Sequence, residues 1–272
     1  MLNDNITYAV ISILIVLFLT PLVISLANKT KVVAAPSADR WHSKPTPLLG
    51  GISIIISITF VAFISGIYHS LDSIVLISIL IIFLSGLYDD IWGMLPYVKL
   101  LFQIIASSLI MASGIVVGKG VLLPDFVAIP LTIFWIVGIT NAMNLLDNMD
   151  GLCSGTSFVI SSFLGLLFYF DGQNDLSTLS ILIAGANLGF LYYNFKPAKI
   201  FMGDSGSLTL GFLLSLISLM GTFHTKSHIL FSLGIPVILM SIPIFDTTLV
   251  TISRKYLNRP ISQGGKDHLS HR

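Results

Sequence analysis

Two amides and two carboxylates recur every third residue at the end of an apolar run: Asn141, Asn144, Asp147 and Asp150, within Ile139 to Leu152, ITNAMNLLDNMDGL. Positions three apart share a helical face, so the four form one polar stripe. The run before them, Phe126 to Gly138, carries no charge, which puts the stripe where a membrane helix meets water, or just inside it. Oxygen-bearing side chains are costly there unless they bind something, such as a cation, a sugar hydroxyl or a base. A merely solvated helix end would instead mix in Ser, Lys and Glu.

Other candidates surround this stripe. Gly86 to Asp90 reads GLYDD at the end of a second apolar run, and Lys99 follows nine residues later. Adjacent carboxylates repel and call for a nearby cation; such a pair can supply a general base and a metal-associated group, the alternative being a solvated acidic turn. In Lys196 to Ser207, KPAKIFMGDSGS, Asp204 lies between Gly203 and Gly206 just before an apolar segment. That run has the look of a helix N-terminus, whose free N–H groups favour anions, so phosphate and metal could meet there; a plain helix cap is the competing reading. Arg40 to Gly51, RWHSKPTPLLGG, is held extended by Pro45 and Pro47, and Gly50 and Gly51 permit close approach of backbone to a ligand; a basic loop with a Pro-rich turn is an equally good reading. The tail ends GGKDHLSHR, where His268 and His271 could share a helical face beside Asp267, Lys266 and Arg272. Imidazole and guanidinium groups suit a pyrophosphate, although a charged tail can also be simply solvated. His42, His69, His224 and His228 read as loop residues, Asp246 as a structural partner of a buried polar group, and Cys153 as a small packing residue.

These residues must be positioned by membrane helices. The 272-residue chain is 54% hydrophobic and 10% charged, with a mean hydropathy of +0.93; soluble domains are about 45–50% apolar and 25% charged. The expected fold is an all-α polytopic membrane protein. A net charge of +1 offers no surface for nucleic acid. All thirteen acidic residues are Asp, and short carboxylates suit a compact site for a hard cation. Nine apolar spans are expected: Thr7 to Ala27, Leu48 to Tyr68, Ser73 to Tyr88, Val98 to Val117, Phe126 to Leu146, Leu152 to Phe170, Leu176 to Phe195, Ser207 to Phe223 and Ile229 to Ile252. The first lacks a basic lead and a cleavage site and reads as a retained helix. The third is short, and Pro236 and Pro243 should kink the ninth. The loops sort the basic residues. Lys29, Lys31, Arg40, Lys44, Lys99, Lys196, Lys199, Arg254, Lys255, Arg259, Lys266 and Arg272 fall on one side, against Lys119 and Lys226 on the other. By the positive-inside rule the N-terminus is outside, the C-terminus is cytoplasmic, and every polar cluster lands on the cytoplasmic face. The stretch 1–272 reads as one transmembrane domain without repeats.

Taken in order, KPTPLLGG, GLYDD, NAMNLLDNMDGL, FMGDSGSLTLG and DHLSHR resemble the polyprenyl-phosphate N-acetylhexosamine-1-phosphate transferases, glycosyltransferase family 4, related to phospho-MurNAc-pentapeptide transferase. The match runs from about Lys44 to Arg272. The resemblance implies transfer of a sugar-1-phosphate, GlcNAc-1-phosphate first among the candidates, from a UDP-sugar to polyprenyl (undecaprenyl) phosphate, with release of UMP. That is a first membrane step of cell-envelope glycan synthesis, lipopolysaccharide or teichoic acid, on a multi-pass protein of the plasma (inner) membrane. It implies Mg²⁺, with Mn²⁺ as a substitute, held by Asp204 and Asn144. Asp89, Asp90, Asp204 and His268 would be catalytic. Lys44, Thr46, Lys99, Asn141, Asn144, Asp147, Asp150, Phe201, His271 and Arg272 would bind substrate, Phe201 by stacking on uracil. Partners would be the donor, the lipid acceptor and membrane lipids, with a homodimer left open.

Two positions depart from the family pattern. Asn148 stands where Gly is usual, which a left-handed backbone would accommodate, and Ser270 stands where many UDP-GlcNAc enzymes carry another His. Relatives also run on into at least one more span beyond the position of Arg272. Besides the pentapeptide transferase, two other classes compete. An intramembrane aspartyl protease would use Tyr88-Asp89 and Gly203-Asp204, but Phe201 replaces a required Gly and no PAL tripeptide occurs. An ion-coupled transporter would place its polar site near the bilayer midplane.

Overall fold

In lipid each segment must close its own backbone hydrogen bonds, which leaves helices as the form open to long apolar runs. The computed structural model describes residues 2–34, 45–118, 123–221, 234 and 237–256. Among them are α1 (Leu2–Thr30), α2 (Gly50–Ile64), α3 (Ser73–Trp92), α4 (Pro96–Ala112), α5 (Asp125–Leu146), α6 (Leu152–Phe170), α7 (Asn174–Asn194), α8 (Gly203–Met220) and α9 (Ser241–Tyr256). Two short strands, β1 (Val33–Ala34) and β2 (Thr46–Pro47), pair antiparallel. Six of the helices are long and apolar enough to cross a membrane, and α2 and α4 are shorter apolar helices. The protein is therefore helical and polytopic.

Local chemistry sets several boundaries. The Asp72 carboxylate accepts from the Ile74 N–H at 3.0 Å and starts α3, and Pro96 occupies the first turn of α4. Several expected boundaries moved: the first span runs Leu2–Thr30 rather than Thr7 to Ala27, and the fourth ends at Ala112 rather than Val117. The second span, read as running to Tyr68, ends as α-helix at Ile64, because Gly66 at φ 79° turns the chain into a 3-10 turn. The third reaches Trp92 rather than stopping at Tyr88, so Asp89 and Asp90 lie inside its last turn. The eighth begins at Gly203 rather than Ser207. Asn148 does not adopt positive φ; the left-handed residue of that loop is Gly151, at φ 74°. Of the ninth span, α9 covers the part from Ser241 on, with Asp246 buried within it. Cys153 is a buried free thiol.

Helix α8 is the centre. Every residue from Ser205 to Ser218 is buried, and α3, α5 and α2 pack around it. Helix α1 lies at the edge, showing Val10, Leu14, Phe18 and Leu22 outward at a spacing of four. Its inner face meets α7, where Gly185 and Gly189 admit the backbone of Ala9 and Ile13, a small-residue crossing typical of membrane helices. Hydroxyl pairs Ser12–Ser57 (3.1 Å) and Thr20–Ser53 (3.1 Å) tie α1 to α2.

Candidate active site

The start of α8 is pinned from three sides. Gly86 on α3 lies so close that a Cβ there would meet the Asp204 carbonyl oxygen at 2.5 Å. Gly51 on α2 lies against the Gly206 backbone, where a Cβ would come within 2.6 Å of its Cα. The chain before α2 zips onto the chain before α8: Phe201 N–H donates to the Pro47 carbonyl (2.9 Å), Gly50 N–H to that of Phe201 (3.0 Å), and Gly51 N–H to that of Met202 (2.8 Å). Gly50 and Gly51, expected to let backbone approach a ligand, here let α2 approach the protein's own backbone at Phe201, Met202 and Gly206.

Onto this frame come four side chains from four helices. Lys99, in the first turn of α4, donates from Nζ to Asp89 Oδ2 and to Asp204 Oδ2, each at 2.5 Å. Asn144, near the end of α5, donates from Nδ2 to Asp204 Oδ1 (3.0 Å) and to Ser207 Oγ (2.8 Å). An ammonium thus sits between two carboxylates, and an amide holds the second oxygen of one of them. The side chains of Lys99, Asp89 and Asp204 are 22%, 14% and 24% exposed, so the cluster is sheltered yet open to a ligand.

Asp90 differs from its neighbour. Its two carboxylate oxygens accept from the backbone N–H groups of Asp204 (2.7 Å) and Ser205 (3.0 Å), so α3 supplies the N-terminal cap of α8. Gly203, at φ 73°, lies over this carboxylate, and a Cβ there would meet Asp90 Oδ2 at 2.6 Å. The helix start offered to phosphate by the sequence is therefore occupied by Asp90, a correction to that expectation. Its carboxylate complements the positive end of the helix in the way an anion would.

The remaining expected residues are dispersed. Asp150 Oδ2 accepts from the Ala198 N–H at 3.0 Å and ties the α5–α6 loop to the α7–α8 loop. Asp147 is the C-terminal cap residue of α5, and Phe201 is half-buried in the backbone zip. Thr46 is buried in β2, opposite Ala34. Asn141 pairs with Gln103 on α4 rather than joining the Asp204 cluster. Lys44, His268, His271 and Arg272 lie outside the described residues. Sequence reasoning missed two positioning side chains. One is Gln103. The other is Asn194, whose Oδ1 accepts from Gly151 N–H (3.1 Å) and Ser154 Oγ (2.9 Å) while Nδ2 donates to the Ile200 carbonyl (2.9 Å). An Asn at the end of an otherwise apolar run was the available signal.

The donor set suits a hard divalent cation. Among the described residues no three His, Cys, Asp or Glu side chains form a metal cage. Mg²⁺ is characteristically bound by one or two carboxylates plus substrate phosphates, and Asp204 provides such a carboxylate. Both amide hydrogens of Asn144 are engaged by Asp204 and Ser207, so its carbonyl oxygen is the atom left for a cation.

Residues 73–222 match glycosyl transferase family 4. Over 271 residues, 97% of this chain and 75% of the relative, the sequence is 40% identical to the Bacillus subtilis protein named "Probable undecaprenyl-phosphate N-acetylglucosaminyl 1-phosphate transferase". It is 33% identical to the decaprenyl-phosphate N-acetylglucosaminephosphotransferase of Mycobacterium leprae, over 95% of this chain and 74% of the relative. It is also 33% identical to the phospho-N-acetylmuramoyl-pentapeptide-transferase of Staphylococcus carnosus, over 78% and 75%. The matched region begins with α3 and encloses α8, and with them every residue that converges on Asp204. The chain belongs to glycosyl transferase family 4.

Proposed function

We propose that this protein transfers GlcNAc-1-phosphate from UDP-GlcNAc to a polyprenyl phosphate, releasing UMP, as a membrane step of cell-envelope glycan synthesis. One observation carries the reading: Asp89, Lys99, Asn144 and Asp204, from four helices, converge where a pyrophosphate and a divalent cation could be handled together. The relatives named as N-acetylglucosamine phosphotransferases match more of the chain than the pentapeptide transferases do, which favours GlcNAc over a MurNAc-pentapeptide. The cluster lies at helix ends, the last turn of α3 and the first turns of α4 and α8, which suits a lipid headgroup better than a midplane ion path. With twelve of fourteen basic residues on the same side of the nine-span arrangement, this face is cytoplasmic in our reading.

In the mechanism we favour, the lipid phosphate attacks the sugar-bearing phosphorus directly. The second pKa of a phosphate is near 6, so the acceptor is mostly dianionic at neutral pH and needs little activation. Asp89 takes the residual proton when one is present, and Lys99 neutralises charge developing toward the leaving UMP. Asp204 and the Asn144 carbonyl oxygen would hold Mg²⁺, which supplies charge neutralisation across the phosphates. Asp90 takes no part in bond making; it fixes the start of α8 so that Asp204 faces the cluster.

Membranes containing the protein, given radiolabelled UDP-GlcNAc and polyprenyl phosphate with and without Mg²⁺, should yield a labelled lipid and UMP only with the metal. Label passing to lipid from UDP-MurNAc-pentapeptide but not from UDP-GlcNAc would move the assignment to peptidoglycan. No labelled lipid from either donor would refute the transferase reading.

A further inference from the structure

Below the cluster, one turn further along α4, the two helices that carry Lys99 and Asn144 meet again. Lys99 and Gln103 are four residues apart on α4, and Asn141 and Asn144 three apart on α5, so each helix presents its two residues on one face. Gln103 Nε2 donates to Asn141 Oδ1 at 3.2 Å, and Asn141 Nδ2 donates to Gln103 Oε1 at 2.6 Å. Asn141 Nδ2 also donates to the Val137 carbonyl oxygen at 2.8 Å. A backbone carbonyl can only accept, so that bond fixes which way the Asn141 amide is turned, and the Gln103 amide is turned to match. Both amide hydrogens of Asn141 are then engaged within the protein. Gln103 is 1% exposed.

Beside this pair the α4–α5 contact includes an open apolar stretch. Leu100 and Ile104 face Ile133 and Val137 across an open groove. Apolar surfaces of this kind attract without fixing register, whereas two reciprocal hydrogen bonds are directional and, away from water, hard to exchange.

We propose that Gln103 and Asn141 are positioning residues: their reciprocal amide pair locks the register of α4 against α5 and so holds Lys99 and Asn144 on Asp204, with neither amide touching substrate. The proposal rests on the transferase reading above. A slip of one residue moves a helix by about 1.5 Å, and a misplacement of about 1 Å at a reacting centre can cost on the order of 100-fold in rate.

The test uses the full chain in detergent micelles with UDP-GlcNAc, polyprenyl phosphate and Mg²⁺. Three variants are compared with wild type: Gln103→Leu, Asn141→Leu, and the exchange variant Gln103→Asn with Asn141→Gln. Gln103→Met, which keeps the length without the amide, replaces the leucine variant if that one does not fold. Each single variant should lower kcat by about 10- to 100-fold, with KM for either substrate within about threefold of wild type. The exchange variant, which restores an amide pair across the helices, should recover most of the lost kcat. A rise in the KM for UDP-GlcNAc confined to Asn141→Leu would make Asn141 a substrate contact and overturn the proposal, as would an exchange variant no better than Asn141→Leu. Single variants at wild-type kcat, beside an active wild type, overturn the pairing alone; a wild type that makes no lipid product removes the transferase reading with it.

Discussion

Asp204 receives an ammonium on one oxygen and an amide on the other, while its own backbone N–H is held by Asp90. Its geometry is therefore fixed by α3, α4 and α5 at once, and replacing its charge should change little else. Asp204→Asn keeps volume and removes the charge; transfer should fall by about 100-fold or more, with the melting temperature nearly unchanged. Substantial activity in that variant at ordinary Mg²⁺ would argue against Asp204 as a ligand. Asp89 has the other task. If it removes the last proton of the acceptor phosphate, Asp89→Asn should be most impaired at acidic pH, where that phosphate is protonated. It should recover in part above about pH 7, past the phosphate's second pKa. A rate deficit independent of pH, or UMP exchange into UDP-sugar without any lipid acceptor, would point away from this proton transfer and toward a covalent intermediate.

At the scale of elements, glycines decide how closely helices meet. Gly86→Ala would drive a methyl group into the Asp204 carbonyl and should destabilise the protein by about 1–3 kcal/mol, as overpacking does, with a marked loss of transfer. Gly155 in α6 has open space around its Cβ direction, so Gly155→Ala should be neutral or stabilising by about 0.5–1 kcal/mol. Equal effects in a melting and activity comparison would contradict the close-packing account. The same elements show what the sequence discloses. The apolar runs announced most helices, and GLYDD, Lys99 nine residues after it, the Asn and Asp stripe and GDSGS marked all four stretches of chain that build the cluster. Their ends were misjudged where a charge looked like a boundary: Asp89 and Asp90 stay helical because Lys99 and the start of α8 satisfy them. What could not be read was partnership across distance. Nothing in VKLLFQ says that Gln103 will face Asn141, nor in the stripe that Asp150 will leave its neighbours to hold Ala198.

At the scale of the molecule, orientation is the expectation most open to direct measurement. A cysteine at Ala198 should react with an impermeant maleimide only when the cytoplasmic side is exposed, and one at Gly172 only from the other side; the native Cys153 is buried and should add little background. Identical labelling at both would contradict the nine-span arrangement. The long helices also form a series. The buried share of the most apolar stretch rises steadily with position in the chain, from 22% in α1, through 28% in α3, 39% in α5, 50% in α6 and 72% in α7, to 83% in α8. The earliest helix of this series can rest in lipid with little shelter, and each later one needs more of its neighbours in place to shelter its Ser, Thr and Gly. The order of synthesis is thus also an order of dependence. The helix that carries Asp204 arrives when α3, α4 and α5, which must grip it, have already been made.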